Sequence, residues 1–253
     1  MAERRTVDVS LERVLGGSFA ALQANALVAC AISFLLSAVP DAAWGFQFGF
    51  VAGGGYGPTG RGSAFLILAV VGILGFAVST LAQGALIQVA AAHREGRRAG
   101  LGEALEVGLR SILPMMGRNI LAGVAIGLAA VALLVPAALL YVVWAVSAPA
   151  LVLERLGVTD SLERSRALTR GARWQVFAVQ LLLLVMQWGL ALAQNATVAT
   201  GTGTTDTVLA IAVSAAVTTF VTAFSPIAHA MLYFELRDAK EGPPTDRLAE
   251  IFR

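Results

Sequence analysis

The chain has 253 residues, of which 57% are hydrophobic and 13% charged, and its mean hydropathy is +0.76. That is more apolar surface than a soluble domain of this length can cover. The composition therefore excludes a soluble protein and indicates an all-α, multi-pass membrane protein. The one cysteine, Cys30, excludes a disulfide framework or a thiolate metal cluster within a single chain.

The first part of the chain predicts an interfacial helix followed by two membrane spans. Residues 9–24 place apolar side chains at helical spacing after a polar start, which is typical of an amphipathic helix at a membrane surface. Spans are predicted at 26–40 and 64–92. The residues between them, 41–62, are rich in glycine and aromatic side chains, so we expect an interfacial loop there.

The middle of the chain predicts a second interfacial helix at 102–113, which Pro114 is expected to end. No residue from Asn119 to Leu153 is charged. As one helix rising about 1.5 Å per residue, that stretch would be too long for a single crossing, so we expect Pro136 to divide it. The resulting spans are 119–136 and 138–154.

A third interfacial helix is predicted at 160–173, with Asp160 as its N-cap and Glu163 completing a capping box. Its small and apolar residues fall on one face and its arginines on the other, as expected for a helix at a bilayer surface. The basic face consists of Arg166, Arg170 and Arg173. The remaining predicted segments are a span at 174–194, a turn at Asn195–Asp206, a sixth span at 207–234 and a polar tail at 236–253.

The positive charges of the chain lie almost entirely on one side of this arrangement. Of the 18 lysines and arginines, all but Arg61 flank the spans on the side that holds both termini. Because basic loops are retained in the cytoplasm, both termini are predicted to be cytoplasmic.

The sequence also indicates an internal repeat. The tetrapeptides Ser10-Leu-Glu-Arg13 and Ser161-Leu-Glu-Arg164 are identical, and Leu105-Glu106 occupies the same place in the middle interfacial helix. Three units, each made of an interfacial helix, a span and a returning span, would account for the chain.

Three segments carry a resemblance to a known family. They are Pro149-Ala-Leu-Val-Leu-Glu154, Ser161-Leu-Glu-Arg-Ser-Arg-Ala-Leu-Thr-Arg-Gly171 and Leu232-Tyr-Phe-Glu-Leu-Arg-Asp-Ala-Lys-Glu-Gly242. They resemble the bacterial membrane domain named for glycerophosphoryl diester phosphodiesterase and the YciC-like membrane proteins. In fused members of that family a separate soluble barrel carries the hydrolysis, and these residues leave no room for one. The resemblance therefore implies a membrane module in a bacterial cytoplasmic membrane without the hydrolytic activity.

Polar side chains inside the predicted spans form one set of candidate site residues. Such groups lose free energy against lipid, so they should face other helices or a water-filled cavity. Hydrogen bonding between helices is the alternative role, and for the histidine a polar relay is a further one. The set consists of Gln83, Gln88, Gln180, Gln187 and His229.

Charged side chains at the cytoplasmic ends of the spans form the second set. Glu154 and Glu235 are expected to bridge to Arg164 or Arg166, or to be solvated ends. The basic faces are expected to hold anionic lipid head groups, at about 1 kcal/mol per cation near the surface. The set is completed by Arg155, Arg170, Arg173 and Arg237.

The leading functional hypothesis is a non-enzymatic membrane module that organises membrane lipids or partner proteins, or helps to handle them. The alternative is a transporter or channel-like protein for an amphiphilic or lipid-like solute, and a membrane-embedded lipid hydrolase comes third. A water-accessible cavity lined by Gln83, Gln180 and His229 would favour transport, whereas a carboxylate cluster with a bound metal would favour hydrolysis. We expect no cofactor, no catalytic or metal site and no nucleic acid. The expected partners are membrane lipids, anionic ones included, with a membrane protein or a second copy of the chain as alternatives.

Overall fold

The computed structural model of the chain describes residues 10–38, 60–200 and 204–242, and in those ranges it contains helices and no strand. The predicted loop at 41–62 and the end of the predicted tail fall outside the described residues, except for the first residues of the helix that begins at Gly60. The helices are α1 (Leu11–Ala24), α2 (Ala26–Ser33, continued by a π-helical turn, Phe34–Ala38), α3 (Gly60–Arg94), α4 (Leu101–Ala132), α5 (Leu134–Val143), α6 (Ser147–Glu154), α7 (Val158–Thr169), α8 (Arg173–Thr200) and α9 (Thr204–Glu241).

Five helical stretches are long and apolar enough to cross a membrane. They are Leu66–Arg94, Leu101–Ala132, Leu134–Glu154, Arg173–Leu192 and Ala212–Glu241. Helices α1 and α2 meet at 91° around Asn25 and make a sixth if the bent pair is one span. Large apolar side chains cover the outer surface, among them Leu27, Leu113 and Val131 at 80% exposure or more. This surface suits lipid, so the prediction of a helical multi-pass membrane protein is confirmed.

Helix α4 runs without interruption through Pro114, so the expectation that this proline ends a helix is wrong. The predicted interfacial helix at 102–113 and the predicted span that follows are one helix in the structure. A proline inside a helix removes one hydrogen bond. In an apolar environment the neighbouring backbone groups still gain most from bonding within the helix, because no water can satisfy them.

The long uncharged stretch is divided at Leu133, not at Pro136. Leu133 has an extended backbone, with φ −162° and ψ 138°, and α5 begins at the next residue. Pro136 lies in the first turn of α5, where the amide hydrogen that proline lacks would have no partner within the helix. A second interruption, at Trp144–Val146, separates α5 from α6 and makes the predicted span 138–154 discontinuous.

Helix α7 begins one turn earlier than predicted, since Gly157 occupies the N-cap position in an extended conformation. Asp160 is therefore not the N-cap. It lies in the first turn of the helix, where its negative charge interacts favourably with the positive end of the helix dipole. The face that α7 buries consists of Ser161, Leu162, Ser165, Leu168 and Thr169. Arg166 and Arg170 are exposed on the opposite face.

The predicted turn at Asn195–Asp206 is also shorter than expected. Helix α8 continues to Thr200 and α9 begins at Thr204. Alanine is a strong helix former and threonine tolerates helix, so helical turns can continue into this stretch.

The bundle is built around α9, whose Phe224, Leu232 and Tyr233 are fully buried, and around a tight pair formed by α3 and α4. At their crossing, a Cβ atom on Gly108 would lie 2.7 Å from the carbonyl oxygen of Leu81. The two backbones can therefore approach this closely only because residue 108 lacks a side chain, as is common between membrane helices.

Candidate functional site

A half-open cavity of about 540 Å³ lies between α3, α4, the broken α5–α6 pair, α8 and α9, with Gly123 and Gln187 exposed on its wall. Ligand pockets in proteins span about 300–1,000 Å³, so this cavity is large enough for a small organic molecule or part of a lipid. Its polar lining consists of Ser79, Gln83, Arg118, Asn119, Tyr141, Gln180, Gln187, Thr222, Ser225 and His229. Its apolar lining includes Leu86, Ile87, Ile126, Leu190 and Val221.

One end of the bundle carries Arg94, Glu154, Arg164, Glu235 and Arg237, and we name it the charged end.

Two polar groups of the cavity lie close to this charged end. Gln180 follows Arg173 by seven residues, and His229 precedes Glu235 by six. At about 1.5 Å per residue, both side chains start roughly 10 Å inside the charged end. Deeper in the bundle the lining combines apolar side chains, such as Leu190 and Val221, with the polar side chains of Gln187 and Thr222.

Arg118 is the cation of the cavity lining. Its Nε donates to Ser147 Oγ at 2.9 Å, its Nη1 to Asn119 Oδ1 at 2.6 Å and its Nη2 to the carbonyl oxygen of Trp144 at 3.3 Å. All three acceptors are neutral. No carboxylate belongs to the described cavity lining, so the guanidinium charge has no acidic counterpart there.

His229 is hydrogen-bonded between two helices. Its Nδ1 lies 2.7 Å from the carbonyl oxygen of Ser225, which only accepts, so Nδ1 carries a proton. Its Nε2 lies 2.9 Å from Gln180 Oε1 on α8, and a neutral imidazole would accept there from the amide NH₂ group once the two ends of the amide exchange places. One turn further in, Gln187 Nε2 donates to Ser225 Oγ at 3.4 Å. Gln180, Gln187 and His229 thus join α8 to α9, which is the helix-packing role considered for them from the sequence. The same three side chains also line the cavity.

The interruption between α5 and α6 forms part of the cavity wall. Trp144, Ala145 and Ala148 line the cavity, and the Ser147 hydroxyl also donates to the carbonyl oxygen of Trp144 at 2.6 Å. Helix α6 starts at Ser147, so its N-terminal end, which carries partial positive charge, lies next to Arg118. The C-terminal end of α5, whose capping residue Trp144 offers its carbonyl oxygen to Arg118, carries the opposite partial charge at the same place, so the positive charge of this corner comes from Arg118.

Gln88 lies outside the cavity lining, unlike the other predicted glutamines. Its Nε2 donates to Glu103 Oε1 at 2.9 Å, and Glu103 also receives two bonds of 2.7 Å from the guanidinium of Arg97. Gln88 therefore holds α3 to the start of α4.

The predicted ion pair between Glu154 and Arg164 is confirmed. Arg164 Nε donates to the two carboxylate oxygens of Glu154 at 2.9 and 3.0 Å, and its Nη2 lies 2.5 Å from Glu241 Oε1. Tyr233 donates its hydroxyl to Glu154 Oε1 at 2.5 Å. The hydrogen bond with Glu154 raises the pKa of Arg164 above its ordinary value. These contacts fasten α7 to α6 and α9.

Glu235 pairs with Arg13 at 3.4 Å, so the expected bridge from Glu235 to Arg164 or Arg166 is wrong. The reason is topological: α9 packs along α1, which brings Arg13 to Glu235, whereas Arg164 on α7 meets α9 at Glu241, further along that helix. Arg237 pairs with Glu241 at 3.5 Å, one turn along the same helix, and Arg94 pairs with Asp238.

The other predicted basic residues are exposed. They are Arg155, Arg166, Arg170 and Arg173. Arg155 caps α6 in a left-handed conformation, with φ 53°. The geometry thus divides the predicted charged set into residues that join helices and residues that face outward.

Sequence reasoning missed Arg118, Asn119, Tyr141 and Trp144 as cavity residues and used Arg118 only to orient the chain. A signal was present, because Arg118 lies at the border of the uncharged stretch and no acidic residue occurs between Glu106 and Glu154. A cation without nearby acids at the edge of a span is a candidate site residue.

Among the described residues, no group of three or more His, Cys, Asp or Glu side chains is arranged to hold a metal ion. Comparisons of the chain with protein-family models, with curated proteins and with solved structures found no match.

Proposed function

We propose that this protein is a non-enzymatic membrane module that binds an amphiphilic, lipid-like molecule in the cavity and so helps to handle membrane lipids. The observation that carries the proposal is a cavity of about 540 Å³ whose lining combines the polar groups Arg118, Gln180 and His229 with apolar side chains such as Ile126 and Leu190. A lining of both kinds matches a molecule with a polar head and an apolar chain.

Transport of that molecule is the second candidate function, and one observation favours it. The sequence analysis named a cavity lined by Gln83, Gln180 and His229 as the feature that would favour transport, and all three residues line the cavity. The wall also contains a broken helix, a feature that transporters use at their binding sites. A lipid hydrolase remains third, with no described feature in its favour.

We also propose that the protein crosses a bacterial cytoplasmic membrane six times, with both termini in the cytoplasm. The distribution of cations supports this topology. In a Cys30→Ala background, single cysteines at Tyr56 and Thr202 should react with an impermeant reagent outside the cell, and cysteines at Arg98 and Lys240 should not. Labelling of position 98 from outside would contradict the proposal.

We also propose that the chain contains a threefold repeat and that it is related to the membrane-domain family that three of its segments resemble. Two ion pairs support the repeat, because the arginine of each identical tetrapeptide bonds to a glutamate at the end of a returning helix. These pairs are Arg13 with Glu235 and Arg164 with Glu154. The resemblance still depends on the three segments named above.

The test of the proposed function is to fill the cavity. Gly123 lines it, and a Cβ atom there would have no heavy atom within 4 Å, so Gly123→Leu should occupy cavity space without a clash. Gly127, one turn along α4, is equally open but lies outside the cavity lining, and Gly127→Leu is the matched control. Mass spectrometry of the purified proteins should show less bound amphiphile in Gly123→Leu than in wild type or Gly127→Leu. Equal amounts in all three would contradict the proposal.

A further inference from the structure

We infer that the cavity takes an amphiphile with a single anionic head group, a carboxylate or a phosphodiester, and that Arg118 binds this group. The inference rests on the proposed function and names the chemical class of the ligand.

The charge of Arg118 is uncompensated where it lies. A guanidinium stays charged in proteins, and a charge placed within a membrane domain needs a counter-charge or many hydrogen bonds. Glu154 and Glu235, which follow the cavity-lining parts of α6 and α9 along the chain, have other partners, since Glu154 bonds to Arg164 and Tyr233, while Glu235 pairs with Arg13. The cavity corner therefore carries a positive charge that a ligand can neutralise.

Arg118 also has donors left for a ligand. A guanidinium has five N–H groups. Ser147, Asn119 and the Trp144 carbonyl take three of them, one each from Nε, Nη1 and Nη2. One N–H on Nη1 and one on Nη2 remain among the described contacts. Two such groups suit the two oxygens of a carboxylate or a phosphodiester.

A neutral donor beside Arg118 acts in the same direction. Asn119 accepts from Arg118 through its oxygen, which leaves its amide group as a neutral donor at the cavity wall. These groups favour one negative charge.

The apolar lining distinguishes an amphiphile from a free inorganic anion. Ile126 on α4 lies two turns beyond Arg118, and Leu190 and Val221 line the same cavity from α8 and α9. A head group at Arg118 would direct its chain toward these side chains. Burial of such a chain contributes about 0.8 kcal/mol per CH₂ group, which an inorganic ion lacks.

Trp144 provides the test, because it lines the cavity and its carbonyl oxygen bonds to Arg118. The protein used is the full chain in a maltoside detergent, with Trp44, Trp174 and Trp188 replaced by Phe so that Trp144 is the only tryptophan. Two probes are titrated, a fatty acid brominated near its carboxylate and the matching brominated fatty alcohol. Bromine quenches tryptophan fluorescence only at close range, so quenching reports occupancy next to Trp144.

In the otherwise wild-type protein, the carboxylate probe should quench at lower concentration than the alcohol. Arg118→Gln should weaken the carboxylate probe about tenfold or more and leave the alcohol unchanged, because a bond to a charged group is lost. Arg98→Gln, which removes an exposed arginine outside the cavity lining, is the control and should behave as the parent protein. The two probes partition into detergent micelles to different extents. Comparing variants with the same probe removes this difference.

Different failures have different meanings. If neither probe quenches Trp144 in the parent protein, the proposed function fails together with the inference. If both probes bind and Arg118→Gln leaves their ratio unchanged, only the inference fails. If inorganic phosphate displaces the carboxylate probe, the site belongs to a free anion and the amphiphile part of the inference is overturned. Should Arg118→Gln not fold, Arg118→Lys keeps the charge and should still prefer the carboxylate probe, so equal binding of both probes would overturn the inference.

Discussion

The charged end and the cavity use arginine in opposite ways. At the charged end, Arg164 lies between two carboxylates, those of Glu154 and Glu241, and joins three helices. In the cavity, Arg118 bonds only to neutral oxygens and keeps two donors free among its described contacts. The same side chain is thus structural where acids accompany it and available for binding where they do not. The difference supports the proposed binding site, because a ligand can neutralise the uncompensated charge of Arg118.

The largest expected effect comes from separating α3 and α4, since both regions depend on their contact. Gly108→Ala would place a methyl group 2.7 Å from the carbonyl oxygen of Leu81 and should destabilise the protein by about 1–3 kcal/mol. The control is Gly102→Ala in the first turn of α4, where a Cβ atom meets nothing within 4 Å. Thermal unfolding in detergent measures both, and similar melting temperatures for the two variants would contradict the close crossing.

A glutamine in the cavity and a glutamine outside it should affect probe binding differently. Gln180→Leu leaves His229 without its partner on α8 and makes the cavity lining less polar, so it should weaken binding of the carboxylate probe severalfold. Gln88→Leu removes a bond to Glu103 outside the cavity lining and should leave probe binding unchanged. If Gln88→Leu weakened binding as much as Gln180→Leu, the assignment of the cavity as the binding site would lose its support.

Substitutions of the paired residues at the charged end should lower the stability of the protein. Glu154→Ala and Arg164→Ala should each lower the melting temperature, and the double variant should lose less than the sum by about 1 kcal/mol, because the two side chains bond directly. Binding of the probes by the folded protein should not change. Additive losses would mean that the pair does not interact, and Glu154 would then become a candidate for function.

The smallest effect on stability is expected for the exposed arginines. Replacing Arg166, Arg170 and Arg173 together by Gln should change the free energy of unfolding by less than about 0.5 kcal/mol, as surface substitutions do. The same variant should retain less anionic lipid during purification, because these cations face outward at the membrane surface. Unchanged lipid content would assign this face to solvent or to a protein partner.

The sequence predicted features that depend on local pattern. The buried face of α7 follows from small and apolar residues at helical spacing, and the pair of Glu154 with Arg164 follows from their closeness across a short turn. The helical membrane class follows from composition alone.

The features it missed depend on tertiary context. Pro114 and Pro136 are helix breakers by local rules. A membrane nevertheless favours a continuous helix through Pro114, and Pro136 is accommodated in the first turn of α5. The interruption at Trp144–Val146 carries no glycine or proline, and Ser165 and Arg118 from other helices bond to its backbone. The cavity itself is assembled from five helical segments, so no single stretch of sequence contains its pattern.

The proposal that Arg118 binds the anionic head of an amphiphile can be tested by an experimental structure of the protein with a brominated fatty acid, because the bromine locates the ligand. The fatty-acid chain should lie in the cavity beside Ile126 and Leu190, with the carboxylate within hydrogen-bond distance of Arg118. A ligand bound only on the outer surface, or one in the cavity with its carboxylate away from Arg118, would overturn the proposal.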